Sequence, residues 1–144
     1  MITNKKIIYI FLSTRKVYPS KINLYENNKL SPKSNYSRNK IITEKKLAKI
    51  LEKNLTILRV SNIIGERSLT KKIHLTFIDI FFKNIEKGII IDNGNTFKDF
   101  LSIEKFCQIF KNIIKNNLVG IYNISIGHKV YLKDLVLWLN KYNK

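Results

Sequence analysis

The sequence has few residues that form cross-links or bind metals. One cysteine, Cys107, is present among 144 residues, so no internal disulfide can form and a reducing compartment is predicted. Cys107 is flanked by Phe106 and by Ile109-Phe110, which predicts that it is buried packing. His74 and His128 are far apart and have no companions at ligand spacing. We therefore predict no metal site.

Long apolar runs are also absent. The first residues, MITNKKIIYIFLS, are similar to a signal peptide, but the apolar run at residues 7–12 is short and no small-residue cleavage site follows. No other run approaches the ~20 apolar residues that cross a membrane. These absences predict no membrane segment and place the protein in the cytoplasm.

Acidic residues are scarce, with 10 Asp and Glu against 27 Lys and Arg and a formal net charge of +17. Such a charge is typical of nucleic-acid-binding proteins, but these lysines are spread along the whole chain. A dedicated binding face would cluster them among aromatic residues. Lys, Asn and Ile are all common, as in chains encoded by A/T-rich codons. We interpret the charge as compositional bias, predict no specific nucleic-acid binding, and expect some affinity for nucleotide diphosphates.

Proline is rare, and both prolines lie within residues 13–33. That stretch is polar and is predicted to form a long functional loop. The apolar run before it, residues 7–12, is typical of a central strand in a parallel sheet, covered on both faces. Ser34, after the loop, is predicted to cap a helix that runs to about Lys53.

The rest of the chain alternates between the patterns of strands and helices. In the last helix, Leu135, Trp138 and Leu139 are predicted to lie in the core. Alternation of this kind predicts an α/β fold with a parallel sheet. Strands are predicted at residues 55–60, 88–91 and 120–125, and helices at residues 73–87, 103–115 and 132–142.

Tyr36 and Lys40 lie four residues apart on the helix predicted after Ser34, so they share one helix face, which we predict to point inward. A free tyrosine has a pKa near 10, too high for a general base at neutral pH. A nearby ammonium favours the phenolate and lowers this pKa. Together with the hydroxyl of Thr14, at the end of the first strand, the pair is suited to moving a proton on and off a sugar.

The Tyr-x-x-x-Lys spacing alone has low specificity. A second match, Tyr25 with Lys29, lies in the loop before Pro32, where a helix is disfavoured. From spacing alone, a tyrosine on a half-buried helix face beside a solvated lysine is the favoured interpretation of Tyr36 and Lys40. The order of the surrounding segments favours a functional interpretation of the pair Tyr36 and Lys40.

That order resembles the extended short-chain dehydrogenase/reductases, and more narrowly the NAD-dependent nucleotide-sugar epimerase/dehydratase family. The similar segments extend from Ile7 to Tyr142. They are Ser13-Thr14 after a strand, Val17-Tyr18, Glu26, Ser31-Pro32, Tyr36-x-x-x-Lys40, Glu44, LRVSNIIG for the family's LR-x-x-N-x-x-G, FKDFLSIEKF for RDF-x-x-V-x-D, and GIYNIS for G-x-Y-N.

The resemblance implies a single, partial α/β domain: a partial Rossmann-like parallel sheet with a small C-terminal substrate-binding region. Residues 1 to about 65 would form the C-terminal part of the Rossmann-like core, and residues from about 66 to 144 the substrate-binding region. Within the core, Thr14 matches the family's catalytic Ser or Thr, and Tyr36 matches its acid/base. Lys40 matches the residue that also holds the nicotinamide ribose of NAD or NADP.

The resemblance also implies contacts to both ligands beyond this triad. Ser61 falls where the family's backbone passes the nicotinamide, so Tyr36, Lys40 and Ser61 are the implied cofactor-binding residues. Asn62 falls where a side chain meets the substrate diphosphate. Lys98 falls where an Arg usually grips it, and lysine keeps the charge but loses the planar two-pronged grip. The implied substrate is a nucleoside-diphosphate sugar.

Two features depart from the family pattern. The sugar dehydratases carry an Asp-Glu pair after the Thr, whereas this chain has Arg15 and Lys16, so 4,6-dehydration of a sugar is not expected. The five glycines form no G-x-x-G-x-x-G or G-x-G-x-x-G fingerprint. The chain begins where the family's fifth strand begins, so we expect that roughly the first third to half of the fold is missing.

The sequence leaves three hypotheses. The first is an N-terminally truncated NAD(P)-dependent nucleotide-sugar epimerase or reductase of polysaccharide biosynthesis, which works with a chain that supplies the missing half. The second is a catalytically inactive remnant or split subunit, and an intact fingerprint in the DNA upstream would separate it from the first. The third is a small basic nucleic-acid-binding protein, which would require a steeply salt-dependent affinity for duplex DNA.

Overall fold

A computed structural model describes residues 7–65, 77–88 and 95–142 of the chain. Most of the strand predicted at residues 88–91 lies outside these residues, as does His74. The elements are β1 (Tyr9–Thr14), α1 (Asn35–Leu51), β2 (Leu55–Val60), β3 (Asn62–Ile64), α2 (Phe77–Glu86), β4 (Phe97–Lys98), β5 (Phe100–Ser102), α3 (Ile103–Lys115), β6 (Gly120–Ile124), β7 (Val130–Tyr131) and α4 (Leu132–Tyr142), with short 3-10 helices at Arg15–Val17 and Glu52–Asn54.

The predicted α/β class is confirmed, and the helices lie close to their predicted positions. α3 and α4 have the predicted bounds, and α1 ends at Leu51 rather than near Lys53. Ser34 is the N-cap of α1, as predicted: its hydroxyl oxygen accepts from the Ser37 amide at 3.2 Å. The Ser37 hydroxyl accepts from the Ser34 amide at 3.1 Å, so two of the donors that a helix start leaves unpaired are satisfied.

The chain divides into two units, each with its own strands. Residues 7–61 and 104–125 form unit 1, which contains the parallel sheet β1-β2-β6, α1 and nearly all of α3. Unit 2 comprises the described residues within 62–103 and 126–142. It contains the parallel pair β3-β5, the antiparallel pair β4-β7, α2 and α4.

The central strand of the described sheet is β2, not β1. All six residues of Leu55–Val60 are buried, and β2 pairs in parallel with β1 on one side and β6 on the other. Within the described residues, β1 pairs only with β2, and Leu12 on β1 is 45% exposed. Among the described residues, β1 is therefore an edge strand with exposed apolar surface, and the second neighbour that a central strand would have is not among them. β1 also lies two residues later than predicted, because Ser13 and Thr14 still pair with β2.

Two predictions about packing in the later helices are also wrong. Cys107 is exposed, because the buried residues of α3 are Phe106 and Ile113 and a one-residue step turns a side chain by 100° about the axis. Trp138 is 55% exposed, whereas Leu132 is the buried residue at the start of α4. Leu135 is half-buried, and the side chain of Leu139 lies outside the description. Among the described residues, no helix is long and apolar enough to cross a membrane.

The predicted functional loop is anchored to α1 by an apolar cluster. Val17 and Tyr18, at the start of the loop, are buried against Ile41 of α1. Leu24 and Leu30 pack on the same cluster, so both halves of the loop contribute to it. The backbone amide of Ser31 also donates to the Val17 carbonyl at 2.9 Å, which closes the loop near its two ends.

A buried ion pair joins β2 to α1. The Arg59 Nη2 atom lies 2.7 Å from Glu44 Oε2, and the two side chains are only 4% and 5% exposed. Burial alone lowers the pKa of Arg59, but hydrogen bonds to Glu44 and Tyr18 and the Glu44 charge outweigh it, so the pKa lies above its usual value. Arg59 therefore stays charged, and Glu44 is the partner that compensates its charge inside the fold.

Replacing Arg59 with Met is expected to lower the free energy of unfolding by about 3–5 kcal/mol, because the carboxylate of Glu44 is then buried without its partner. Arg38→Met is the matched control, since Arg38 is exposed on α1 and hydrogen-bonded to Asn35. It is expected to change stability by no more than about 0.5 kcal/mol. Adding Glu44→Leu to Arg59→Met should recover part of the loss. Urea denaturation of the unaltered chain and the three variants measures the free energy of unfolding. Equal losses in Arg59→Met and Arg38→Met would contradict the role assigned to the buried ion pair.

Candidate functional site

The carboxyl ends of β1, β2 and β6 lie at one edge of the sheet in unit 1. Thr14 on β1 pairs with Val60 on β2, and Val60 pairs with Ile124 on β6. Ser61 follows β2 directly, and its amide donates to the Ile124 carbonyl at 2.9 Å. Ligands of open α/β sheets bind beyond the carboxyl ends of the strands. The structure therefore places Thr14 and Ser61 at the edge where a ligand is expected.

The hydroxyl of Thr14 caps the short 3-10 helix that follows β1. Its oxygen accepts from the Lys16 amide at 3.3 Å, and the side chain is mostly buried. A hydroxyl has one donor hydrogen and two acceptor lone pairs, so this bond leaves its hydrogen for another acceptor. Thr14 is thus held in place by its own backbone turn, with a donor suited to a substrate oxygen.

Lys40 reaches from α1 to β1 and lies beside Tyr36. Its ammonium donates to the Leu12 carbonyl oxygen at 2.7 Å and lies 4.8 Å from the centroid of the Phe11 ring. It is 5.7 Å from the centroid of the Tyr36 ring, on the same helix. The structure therefore brings Tyr36 and Lys40 together. The Lys40 ammonium contacts β1 at Leu12, two residues before Thr14.

Tyr36 lies at the rim of the buried face of α1, not within it. The buried residues of α1 are Ser37, Ile41 and Glu44, and the Tyr36 side chain is 54% exposed. The prediction that Tyr36 continues the inward face is therefore wrong, because the buried face of α1 begins one residue later, at Ser37. The physical reason is Glu44: an amphipathic pattern assigns a glutamate to the surface, but here the ion pair with Arg59 draws it inside.

The residues behind Thr14 form a polar network that sequence reasoning missed. The Ser13 hydroxyl donates a short hydrogen bond to Glu44, which also accepts from Arg59. Arg59 Nη1 donates to the Tyr18 hydroxyl at 2.6 Å and to the Glu26 carbonyl oxygen at 3.0 Å. One arginine on β2 therefore holds the end of β1, helix α1 and two points of the long loop.

The same network extends from the loop to β6. The Tyr18 hydroxyl donates to Asn123 Oδ1 at 2.9 Å, and the Asn123 amide donates to the Glu26 carboxylate at 2.7 Å. The sequence contained a signal for it, because Arg59 stands inside the otherwise apolar run LTILRV, and a charged residue in a buried strand is rarely without a partner. Which partner it takes is not readable from local pattern.

Asn62 and Lys98, the predicted substrate residues, are linked within unit 2. Asn62 begins β3 and is the register partner of Phe100 on β5. Its side-chain amide donates to the carbonyl oxygen of Asp99 at 2.9 Å, and Asp99 follows Lys98 directly. The Lys98 ammonium lies 5.1 Å from the centroid of the Phe77 ring. The structure therefore brings the backbone of the Lys98 segment to the Asn62 side chain.

The second Tyr-x-x-x-Lys match is not on a helix, as predicted. The Tyr25 amide donates to Asn28 Oδ1 at 2.7 Å in an irregular turn, and the Tyr25 side chain is 65% exposed. Within residues 7–65, 77–88 and 95–142, no three His, Cys, Asp or Glu residues are grouped closely enough to hold a metal ion.

The four described glycines do not form a pyrophosphate cradle. A Cβ at Gly65 would lie 2.5 Å from the Ile103 side chain, so this glycine allows close packing, and Gly88, Gly120 and Gly127 have positive φ angles at chain turns.

The fold is similar to that of several larger enzymes. One is UDP-N-acetylglucosamine 4-epimerase from Methanobrevibacter ruminantium, with 22% identity and a TM-score of 0.76 over 92% of this chain and 45% of that one. Another is ADP-L-glycero-D-manno-heptose-6-epimerase from Helicobacter pylori, with 20% identity and a TM-score of 0.75 over 92% and 44%. The Bordetella bronchiseptica enzyme WbmG in complex with NAD has 21% identity and a TM-score of 0.74 over 94% and 43%.

These likenesses establish the Rossmann-like fold, and the chain spans less than half the length of each of the three structures. No curated protein sequence matches the chain. The family model for "NAD dependent epimerase/dehydratase family" matches residues 2–125, which include β1, α1, β2 and β6. The chain therefore belongs to the NAD-dependent epimerase/dehydratase family.

Proposed function

We propose that this chain carries the acid/base and substrate-binding part of an NAD(P)-dependent nucleotide-sugar epimerase or reductase that works in the cytoplasm, in polysaccharide biosynthesis. The observation that carries the proposal is the placement of the Lys40 ammonium between the Tyr36 ring and the backbone of β1, two residues before Thr14. In this proposal Tyr36 acts as the base, Lys40 as its charged neighbour and Thr14 as the hydroxyl donor, at the carboxyl edge of one parallel sheet.

In this proposal Tyr36 moves the proton. In its deprotonated form the phenol, with the Lys40 ammonium beside its ring, accepts the proton of a sugar hydroxyl and returns it to the product oxygen. A bound nicotinamide supplies the matching hydride chemistry at the sugar carbon. Thr14 donates its hydroxyl hydrogen to the same sugar oxygen and keeps that oxygen in line with the phenol. The exposure of Tyr36 is consistent with this role, because a catalytic phenol must be reached by substrate.

Asn62 and Lys98 are proposed to hold the substrate diphosphate. An amide N–H and an ammonium are both donors to phosphate oxygens, and the ammonium also offsets the negative charge. A lysine binds as a point charge on a flexible stem. We therefore expect a looser grip on the diphosphate than the arginine found at this position in the family pattern would give.

We further propose that polypeptide outside these 144 residues supplies the pyrophosphate cradle, either as the rest of a longer protein or as a partner chain. Two observations support this: the described glycines form no cradle, and the outer edge of β1 is unpaired within the described residues. Leu12 and Ile7 leave apolar surface beside that edge, at 45% and 41% exposure. A parallel strand added there would pair the open edge of β1, and a helix connected to it would cover apolar surface on the face. The alternative is a catalytically inactive remnant of such an enzyme.

Tyr36→Phe is expected to lower turnover at least about a hundredfold when the chain is combined with a dinucleotide-binding half, as the loss of a general acid/base does. The melting temperature should barely change, because one exposed hydroxyl is removed. Tyr25→Phe is the matched control, since Tyr25 has the same spacing to a lysine and similar exposure. It should leave turnover unchanged. Steady-state kinetics measure both variants, and equal effects would refute the role of Tyr36.

The same assembly is not expected to release a 4-keto-6-deoxy sugar from a nucleotide hexose. Elimination of water needs a carboxylate acid and base, and Arg15 and Lys16 occupy the 3-10 helix where dehydratases of the family carry them. Mass spectrometry of the reaction products is the measurement. A product lighter than the substrate by one water would overturn the exclusion of dehydratase activity.

The chain alone is expected to bind neither NAD nor NADP with micromolar affinity. Lys40 can contact a ribose, but the pyrophosphate normally rests on a glycine turn at a helix N-terminus, which the described residues do not provide. The exposed edge of β1 should also make the chain self-associate. Calorimetric titration and sedimentation velocity test the two expectations. A monomer that binds either cofactor at micromolar concentration would contradict the proposal of an external cradle.

A further inference from the structure

Asp99, between β4 and β5, bonds through both its side chain and its backbone to other segments of unit 2. Its carboxylate accepts from the Ile126 amide at 3.2 Å and from the Gly127 amide at 2.6 Å. Two successive backbone amides form a small concave site for an anion, and here a side chain of the same unit fills it. Gly127 has a φ of +82°, a conformation that glycine adopts without strain, so the turn is suited to presenting its amide.

The backbone of Asp99 is fixed at the same time. Its carbonyl oxygen accepts from the side-chain amide of Asn62 at 2.9 Å. Residue 99 therefore joins three segments of unit 2: the start of β3, the junction between β4 and β5, and the turn at residues 126–127. Lys98 is its immediate neighbour on β4, where it pairs with Val130 of β7.

We propose that Asp99 is a positioning residue that sets the placement of Asn62 and Lys98 for a nucleoside diphosphate, an inference that rests on the function proposed above. The hydrogen bond to the Asp99 carbonyl fixes the orientation of the Asn62 amide and leaves its second N–H as the donor for a phosphate oxygen. The carboxylate fixes the backbone from which the Lys98 stem extends, so the flexible ammonium starts from a defined point.

The hydrogen bonds of Asp99 matter for the Lys98 side chain because of where its ammonium lies. The ammonium lies 5.1 Å from the centroid of the Phe77 ring, so the side chain is restrained at both its base and its tip. A lysine has no planar fork to pre-organise its hydrogen bonds, unlike an arginine. At a position where lysine stands in place of arginine, the selectivity for a diphosphate over a monophosphate therefore depends more strongly on how rigidly the backbone of that residue is held.

The test is to titrate the 144-residue chain with UDP and with UMP while recording amide NMR spectra. Asp99→Asn and Lys98→Met are compared with Asp134→Asn, which makes the same charge change at an exposed position in the first turn of α4. Each Asp→Asn change removes one negative charge and so raises the net charge by one, which by itself would strengthen binding of an anion. A loss of affinity in Asp99→Asn can therefore not come from net charge.

We expect Asp99→Asn to weaken UDP binding about fivefold and Lys98→Met to weaken it at least as much, because the two residues act in one network. UMP binding should change less, so the preference for UDP falls in both variants, while Asp134→Asn keeps it. The Gly127 amide should shift upfield and exchange faster in Asp99→Asn, which reports the weaker hydrogen bond to a neutral acceptor directly. A purely structural role would weaken UDP and UMP equally.

The outcomes separate this inference from the proposed function. If Lys98→Met weakens UDP binding but Asp99→Asn does not, although the Gly127 amide shifts, then Asp99 does not position Lys98. If the unaltered chain does not bind UDP, or Lys98→Met binds it normally, the substrate site itself is misplaced and both proposals fall. Should Asp99→Asn unfold, Gly127→Ala perturbs the same hydrogen bond from the turn, and unchanged UDP preference there would equally overturn the inference.

Discussion

The ion pair between Arg59 and Glu44 is the interaction on which unit 1 depends. A guanidinium in a fully buried strand must be compensated, and the nearest way to do so is to turn α1 until Glu44 faces β2. That rotation leaves Tyr36 at the rim of the helix and directs Lys40 to the Leu12 carbonyl. The proposed acid/base geometry is therefore a consequence of a charge placed in the core.

The same arginine also organises the loop that follows β1. Through Glu44 it holds the Ser13 hydroxyl, and through Tyr18 it is linked to Asn123 at the end of β6. Buried ion pairs contribute little to stability compared with apolar packing of the same volume. The pair here serves as the centre of a network that bonds α1, the loop and β6 to one another. A loop of residues 13–33 thereby gains a fixed conformation despite its polar sequence.

The sequence predicted those parts of the structure that local patterns determine. The α/β class, the cap at Ser34 and the bounds of α3 and α4 follow from signals within a few residues of each element. The rotation of α1 was not predictable in this way, because it depends on the partners of Glu44. These are Arg59, 15 residues away in the chain, and Ser13, 31 residues away. Cys107 was misassigned for a related reason, since apolar neighbours in sequence do not fix which helix face is buried. The roles of Thr14, Tyr36 and Lys40 rest on the resemblance and stay predictions.

Each unit thus holds its candidate residues with one charged side chain that bonds to several distant segments: Arg59 in unit 1 and Asp99 in unit 2. The side chains of Arg15 and Lys16, which depart from the family pattern, take no part in the hydrogen bonds described for Arg59. Unit 1 therefore forms its network around Arg59 without a carboxylate at either position.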